Sequence, residues 1–192
     1  DCTDFTLDVT TQPTDCPDIA NGRIEIIAQA AQQPLSYDWA KDEYDGEAVI
    51  NNLEVGTYAV TVSDAKGCQV DTSLRMAALH PAPELTLKSI PELCPGVCFD
   101  LPLNFSGTAP FQLEYLLFSG QDTLPQQAIF NDNTGYLTIC VPDTNPSIES
   151  VYLRWVNLRD AYCTTILDRS ISVPVTPLVL GTSATILHPC AL

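Results

Sequence analysis

The sequence predicts an all-β protein made of two tandem β-sandwich domains, and three observations support this fold class. Short segments rich in Val, Ile, Thr, Tyr and Phe alternate apolar and polar residues with the two-residue period of a strand. The 15 Pro and 9 Gly scattered between these segments interrupt any long helix. The length of 192 residues suits two domains of about 100 residues each, the commonest domain size.

Six strands are predicted in the first half of the chain. They lie at residues 4–10, 22–29, 35–40, 47–51, 57–63 and 68–76. The fifth shows the alternation best, because Tyr58, Val60 and Val62 share one face and the residues between them share the other. Gly67 follows in a turn and supplies the positive φ that such a turn often needs.

Seven strands are predicted in the second half, and they repeat the scheme. They lie at residues 84–90, 97–105, 111–118, 126–130, 135–141, 150–158 and 162–175. Apolar side chains share a face in several of them, as Phe99, Leu101 and Leu103 do in the second. Such sets fill a sandwich core about 10 Å thick. The strand pattern therefore predicts two tandem immunoglobulin-like β-sandwich domains.

A proline-rich break divides the chain. Pro81 and Pro83 stiffen a linker and block strand pairing, so the predicted domains are residues 1–79 and 80–176. Residues 177–192 repeat the opening of the scheme, with Cys190 in the place of Cys16, and we expect a linker and the start of a third domain there. The start at Asp1, without an initiator Met, leads us to expect a mature or excised piece of a larger protein.

Two motifs allow the halves to be aligned with each other. A proline precedes the third strand in both, as Pro34 and Pro110. The turn before the last strand ends on a cysteine in both, so that residues 64–68 match residues 159–163. Such self-similarity indicates an array of repeats.

The charge of the chain excludes some partners. It carries 24 acidic and 8 basic residues, a net charge of −16, which repels nucleic acid and anionic membranes. We therefore expect no nucleic-acid partner. No apolar run approaches the roughly 20 residues that cross a bilayer, so outer-membrane anchoring is expected only through other parts of the protein.

Eight cysteines predict disulfides formed in an oxidising compartment, and hence an extracellular or cell-surface location. They are Cys2, Cys16, Cys68, Cys94, Cys98, Cys140, Cys163 and Cys190. The even count favours disulfides. A zinc site is the weaker alternative, because the paired spacings of zinc ligands are missing and only His80 and His188 could contribute.

The strand register predicts one disulfide directly. Cys98 lies on the second strand of the second domain and Cys140 near the end of the fifth, both on the outer face. Those strands are antiparallel neighbours in an immunoglobulin-like sandwich, where the start of one lies beside the end of the other. Facing residues there are close enough for a bond after a small adjustment. We therefore predict a Cys98–Cys140 disulfide.

The other pairings stay open. Cys2, at the start of the first strand, is a better geometric partner for Cys68 than Cys16 is. Cys16 could then reach across the linker to Cys163 and join the two domains.

Three stretches carry a resemblance to a known family. They read Asn-Gly-Arg-Ile-Glu-Ile at 21–26, Pro-Leu-Ser-Tyr-Asp-Trp at 34–39, and Leu-x-x-Gly-Thr-Tyr through Asp-x-x-Gly-Cys at 53–68. Residues 14–76 thereby resemble a SprB-type repeat of Bacteroidetes cell-surface (gliding-motility) adhesins. Gln32 and Gln33 stand where the family usually has glycines. The second half resembles the family more distantly, through residues 106–111 and 160–163.

The resemblance implies a structural stalk segment of a large, secreted, filamentous surface adhesin, exported by type IX secretion and without catalysis. It also implies a disulfide between Cys16 and Cys68 within one repeat. A carbohydrate- or protein-binding module, or accessory domains of a secreted hydrolase, are the alternative functions. The expected partners are neighbouring domains of the same chain, with a homo-oligomeric filament as an open alternative.

One acidic cluster is the candidate metal site. Asp42, Glu43, Asp45 and Glu47 surround Gly46 in a predicted hairpin turn. Carboxylates gathered on one turn could bind Ca²⁺, the one candidate cofactor, although a solvated turn is the favoured interpretation. Three further carboxylates are weaker candidates: Asp15, Asp18 and Asp64.

The aromatic residues are expected to serve the fold. Tyr58 starts a strand after Gly56, in the position of a tyrosine corner. Trp39 and Trp155 are predicted core residues. An exposed aromatic pair would favour the binding module, but we expect the aromatic side chains in the core. No Ser-His-Asp grouping with a nucleophile elbow and no His-Glu-x-x-His motif occurs, so no enzyme is predicted.

Overall fold

The computed structural model describes residues 2, 4–29, 32–90, 94, 96–119, 122–140 and 150–175. The chain divides into two compact units, Asp1–Pro81 and Ala82–Leu192. The described residues form thirteen β-strands and a single 3₁₀ turn. The predicted start of a third domain, at 177–192, lies outside them.

Unit 1 contains six strands, each close to a predicted position. They are β1 (Thr6–Gln12), β2 (Gly22–Gln29), β3 (Ser36–Trp39), β4 (Val49–Leu53), β5 (Gly56–Ser63) and β6 (Gln69–Met76). One antiparallel sheet has the order β1-β2-β4 and the other has the order β3-β5-β6. Side chains from both sheets build the core: Ile24 and Leu53 come from the first, and Trp39 and Val62 from the second.

The described residues of unit 2 form seven strands in a similar arrangement. They are β7 (Glu84–Leu87), β8 (Cys98–Ser106), β9 (Phe111–Ser119), β10 (Asp122–Phe130), β11 (Thr134–Cys140), β12 (Ser150–Arg159) and β13 (Thr164–Pro174). The sheets have the orders β11-β8-β7 and β10-β9-β12-β13. Each unit is thus an immunoglobulin-like β-sandwich, in which consecutive strands repeatedly change sheet.

Three phenylalanines anchor the core of unit 2. The Phe105 ring stacks on that of Phe111, with centroids 4.9 Å apart, and the Phe130 ring lies tilted against it at 4.8 Å. Phe130 also covers Gly135, where any Cβ would collide with its ring. A glycine is therefore required in that strand so that the aromatic ring can lie against the backbone.

The register of β8 and β11 confirms the predicted disulfide. Cys98 lies directly opposite Cys140, and the two are bonded with a Cα–Cα distance of 3.8 Å. Cys2 is bonded to Cys68, the partner that strand geometry favours, so the Cys16–Cys68 pairing implied by the family resemblance is wrong. Cys16, Cys94 and Cys163 are also disulfide-bonded.

The boundary between the units falls two residues later than predicted. The N–H of Leu79 donates to the carbonyl of Thr14 (2.7 Å), and that of His80 donates to the carbonyl of Asp15 (3.0 Å). These hydrogen bonds hold residues 79 and 80 on the first sandwich. The division therefore lies between Pro81 and Ala82.

Removal of the Cys2–Cys68 bond should destabilise unit 1 selectively. The bond closes a sequence separation of 66 residues, so a Cys2→Ser, Cys68→Ser variant should lose about 4 kcal/mol of unfolding free energy. Denaturant unfolding of variants that keep a single tryptophan separates the units by fluorescence, because Trp39 reports unit 1 and Trp155 reports unit 2.

The matched control is the Cys98→Ser, Cys140→Ser variant, which should move only the Trp155 transition. If the denaturant midpoint reported by Trp39 did not change after the replacement of Cys2 and Cys68, the disulfide would not stabilise unit 1.

Candidate functional site

The acidic cluster lies on a connection between sheets rather than on a hairpin. A 3₁₀ turn at Asp42–Tyr44 joins β3 to β4. The predicted hairpin is wrong because β3 pairs with β5 and β4 pairs with β2, so the chain must cross the sandwich here.

Asp45 holds this crossing in place. Its Oδ1 accepts a hydrogen bond from the backbone N–H of Trp39 at 2.7 Å. The Trp39 indole N–H donates to the carbonyl of Glu47 at 2.9 Å, and the N–H of Gly46 donates to the carbonyl of Tyr37 at 2.8 Å. The loop therefore fixes the buried indole, and the Asp45 carboxylate is engaged with the backbone.

The four carboxylates of the cluster do not converge. Within the described residues, no group of three or more Asp, Glu, His or Cys side chains is placed to hold a metal ion. Asp42, Glu43, Asp45 and Glu47 are thus near one another in sequence without forming a ligand set, and the favoured interpretation, a solvated turn, stays a prediction.

The tyrosine corner predicted at Tyr58 is present. The Tyr58 hydroxyl donates to the carbonyl of Glu54 at 3.0 Å, which ties the entry of β5 to the backbone four residues upstream. The Lys41 ammonium lies 5.4 Å from the centroid of this ring, within the range of a cation–π contact.

Tyr44 completes a small aromatic cluster at the same crossing. Its ring lies 6.2 Å from that of Tyr58 and 6.4 Å from that of Trp39. Burial raises the pKa of Tyr44 to about 12, with further contributions from a hydrogen bond with Glu43 and from nearby acidic groups. The phenol therefore stays neutral at physiological pH and acts as a packing group.

A buried carboxylate fastens the turn before the last strand of unit 1. Asp64 Oδ1 accepts hydrogen bonds from the N–H groups of Lys66 and Cys68, each at 2.9 Å. Its Oδ2 accepts one from the N–H of Gln32 at 3.1 Å, in the loop before β3. We call this arrangement a latch, because one carboxylate joins two loops that are distant in sequence.

The same latch occurs in unit 2. Asp160 Oδ1 accepts from the N–H groups of Tyr162 and Cys163 at 2.8 and 2.7 Å, and Oδ2 accepts from the N–H of Thr108 at 2.9 Å. In both units the proline that follows this loop, Pro34 or Pro110, has a cis peptide bond.

The structure corrects the alignment of the two turns. Aligning the cysteines places Asp64 against Arg159, but the latch shows that Asp160 is its counterpart and that the second turn is one residue shorter. Gly107 belongs to the second latch, because a Cβ there would lie 2.6 Å from Asp160 Oδ2. The motif Asp-x-x-Gly-Cys in the first unit therefore contains the carboxylate of the latch and one of its N–H donors, that of Cys68.

The latch also lowers the pKa of the Asp64 carboxyl group. Desolvation raises the pKa of this carboxyl, but the N–H donors of Gln32, Cys68 and Lys66, together with the Lys66 charge, outweigh it and hold the pKa below its usual range. The ionised form is therefore the form that the fold stabilises.

One aromatic pair lies outside the core, contrary to expectation. Phe118 on β9 faces Tyr152 on β12 as a direct cross-strand partner. Their neighbours Leu117, Val151 and Leu153 point into the core, so this pair points outward. Tyr152 is 52% exposed and Phe118 is half-buried. We call the outward side of β10-β9-β12-β13 the aromatic face.

Comparisons with known proteins concern the fold alone. No family model and no curated protein matches the chain. Similar solved structures include three N-terminal domains of the bacteriophage RB49 outer capsid protein Hoc (14% identity, TM-score 0.38), domains 4 and 5 of the S-layer protein SbsC (10%, 0.36) and fibronectin(III)-like modules of Clostridium thermocellum CbhA (11%, 0.39).

The matches cover 89%, 90% and 93% of this chain, and 58%, 98% and 100% of the other chains. The chain thus spans less than two thirds of the phage fragment. TM-scores this low carry no argument about function. The described residues contain no helix that is long and apolar enough to span a membrane.

The latch predicts an acid-sensitive unit 1. A depressed pKa in the folded state gives stability that is complete above the unfolded value, about 3.9, and is lost as the pH falls through the folded value. An Asp64→Asn variant should be less stable at neutral pH and should lose less stability below about pH 4. Unfolding monitored through Trp39 from pH 7 downward measures both effects.

Asp38→Asn provides the control. Asp38 is an exposed residue of β3, because the buried side chains of this strand are those of its two neighbours, Tyr37 and Trp39. Equal acid sensitivity of the wild type and Asp64→Asn would show that the latch is not the titrating contact.

The Asp45 carboxylate should stabilise unit 1 through its hydrogen bond and not through bound calcium. Asp45→Ala leaves the N–H of Trp39 without its acceptor and should cost about 1–2 kcal/mol of unfolding free energy. Millimolar Ca²⁺ should leave the melting temperatures of the wild type and the variant unchanged. Asp42→Ala is the control from the same turn. A calcium-dependent rise in the wild type that Asp45→Ala abolishes would establish a metal site.

Proposed function

We propose that this chain is a structural segment of a large, exported, filamentous cell-surface adhesin, in which the two sandwiches act as spacers. The observation that carries this proposal is the repeated latch. The two units keep the same three carboxylate contacts, at Asp64 and Asp160, while the rest of their sequences differ. Arrays of repeats retain the contacts that hold each repeat together.

The disulfide bonds support an exported location. Cys2–Cys68 and Cys98–Cys140 are disulfides, and such bonds persist in oxidising compartments outside the cytosol. The net charge of −16 favours a soluble, mutually repelling surface. The resemblance to SprB-type repeats is the support for an adhesin stalk exported by type IX secretion.

The buried carboxylates do not favour an enzyme. A general acid or base needs a carboxyl group that is free to exchange a proton with a substrate. Both Asp64 and Asp160 are instead engaged by three backbone N–H donors each. A spacer needs such fixed groups, and it needs no reactive ones.

The outward-facing pair Phe118 and Tyr152 favours a second candidate, a binding module. Exposed aromatic side chains on a rigid sheet offer large contact area at low entropic cost. A chain can combine the two functions, since the aromatic face contributes nothing to the core.

The spacer function predicts that the segment can be exchanged for another of equal length. Deletion of both units from the full-length protein in its native host should reduce adhesion. Replacement by an unrelated tandem pair of immunoglobulin-like domains should restore it, because a spacer contributes length and rigidity alone. Adhesion assays on cells with equal surface amounts of each variant measure this. Failure of the replacement, despite normal export, would overturn the proposal.

A further inference from the structure

The aromatic face is organised in rows that cross all four strands. The register places Thr123, Phe118, Tyr152 and Ser172 side by side, from β10 through β9 and β12 to β13. Directly opposed residues have Cβ atoms about 4.5–5.5 Å apart, so the two rings are adjacent. The flanking side chains are the small hydroxyls of exposed Thr123 and Ser172, so they do not cover the rings, of which Tyr152 is 52% exposed and Phe118 half-buried.

A polar row lies two rows beyond the aromatic pair, four residues away along β9. Asn157 on β12 faces Glu114 on β9, and its amide donates to Glu114 Oε2 at 2.9 Å. Gln127 on β10 lies beside Glu114 in the same row, and the exposed Ile166 of β13 lies beside Asn157 at its other end. Amide and carboxylate groups thus point outward about 13 Å from the aromatic pair, within reach of a ligand long enough to cover both rows.

The row between them contains Leu116, Arg154 and Ser170, and Arg154 forms an ion pair with Asp168 in the neighbouring bulge. Arg154 Nη2 lies 2.7 Å from Asp168 Oδ1, and both side chains are at least half exposed. A bulge between Trp155 and Asn157 shifts the register of β13, and Asp168 within it has a φ of +37°. Bulges commonly redirect a side chain, and here the result is a carboxylate aimed at Arg154. Positive φ is uncommon for a residue other than glycine.

The charge of this face differs from that of the whole chain. Its described side chains include two arginines, Arg154 and Arg159, and two carboxylates, Glu114 and Asp168, which balance each other. The chain as a whole has a net charge of −16. A neutral face on an acidic protein does not attract a polyanion, and a second copy of the chain would be repelled by the rest of the surface.

We propose that the aromatic face binds a neutral oligosaccharide. This deepens the binding-module candidate and does not depend on the spacer function. The C–H face of a sugar ring is apolar and flat, which suits the Phe118–Tyr152 pair, while its hydroxyls are donors and acceptors. Asn157, Glu114 and the Arg154–Asp168 pair offer them complementary partners.

The test uses the whole chain and a panel of soluble polysaccharides. Native gels containing xylan, galactomannan, laminarin, dextran or hydroxyethyl cellulose should retard the protein in at least one case. Tyr152→Ala and Phe118→Ala should weaken that retardation about tenfold. Arg154→Gln should weaken it as well.

Tyr136→Ala is the matched control, because Tyr136 is 70% exposed on β11, in the other sheet of the same unit. It should leave binding unchanged. Circular dichroism and the Trp155 unfolding transition should show that every variant remains folded.

Three results would overturn the proposal. They are the absence of retardation by every neutral polymer, an equal loss of retardation in Tyr136→Ala, and retardation by the acidic polymers alginate and polygalacturonate alone. Self-association that Tyr152→Ala abolishes, without retardation by any polymer, would assign the face to a second copy instead. Because none of these measurements depends on the length of the segment, a failure here is distinguishable from a failure of the spacer exchange.

Discussion

Each sandwich depends on one carboxylate buried between two loops. In unit 1 the loop before β3 carries the chain from one sheet to the other, and Asp64 joins it to the turn between β5 and β6. A buried charge is costly unless it is hydrogen-bonded. Three N–H donors meet that requirement, and the carboxylate in turn satisfies three backbone groups that would otherwise lack a partner. The contact therefore fixes both loops at once.

The other crossings of unit 1 follow the same principle. The chain changes sheet three times, before β3, between β3 and β4, and between β4 and β5. At each crossing, a polar side chain holds a backbone group: Asp64 at the first, Asp45 at the second and Tyr58 at the third. In unit 2, Asp160 and Asn133 hold two of the crossings, and the crossing at 141–149 lies outside the described residues. Apolar periodicity builds the two layers, and these few polar contacts determine how the chain passes between them.

The difference between the apolar layers and the polar contacts at the crossings explains how much of the fold the sequence could predict. Alternation locates strands, so the thirteen strands and the Cys98–Cys140 pair follow from it. Alternation does not say whether consecutive strands pair or cross, since the connection at residues 42–47, with its carboxylates and Gly46, has the composition of a hairpin turn. The outward-facing pair was missed for a different reason: Leu116, Leu117 and Phe118 are all apolar, so the composition of this run does not mark which of them faces outward. Only the register with β12 separates them.

The contrast between the two units bears on function. Because the polar contacts lie at the crossings and the apolar contacts lie in the core, the outer faces of the sheets are free to diverge. On the outer face of β3-β5-β6, unit 1 carries a row of Asp38, Thr61 and Asp71. The corresponding sheet of unit 2 has gained a fourth strand, an aromatic pair and an ion pair beside a bulge. The latch does not require any of these additions. A feature that one repeat has and the other lacks, on a surface that does not hold the fold together, calls for an explanation outside stability, and contact with a ligand provides one.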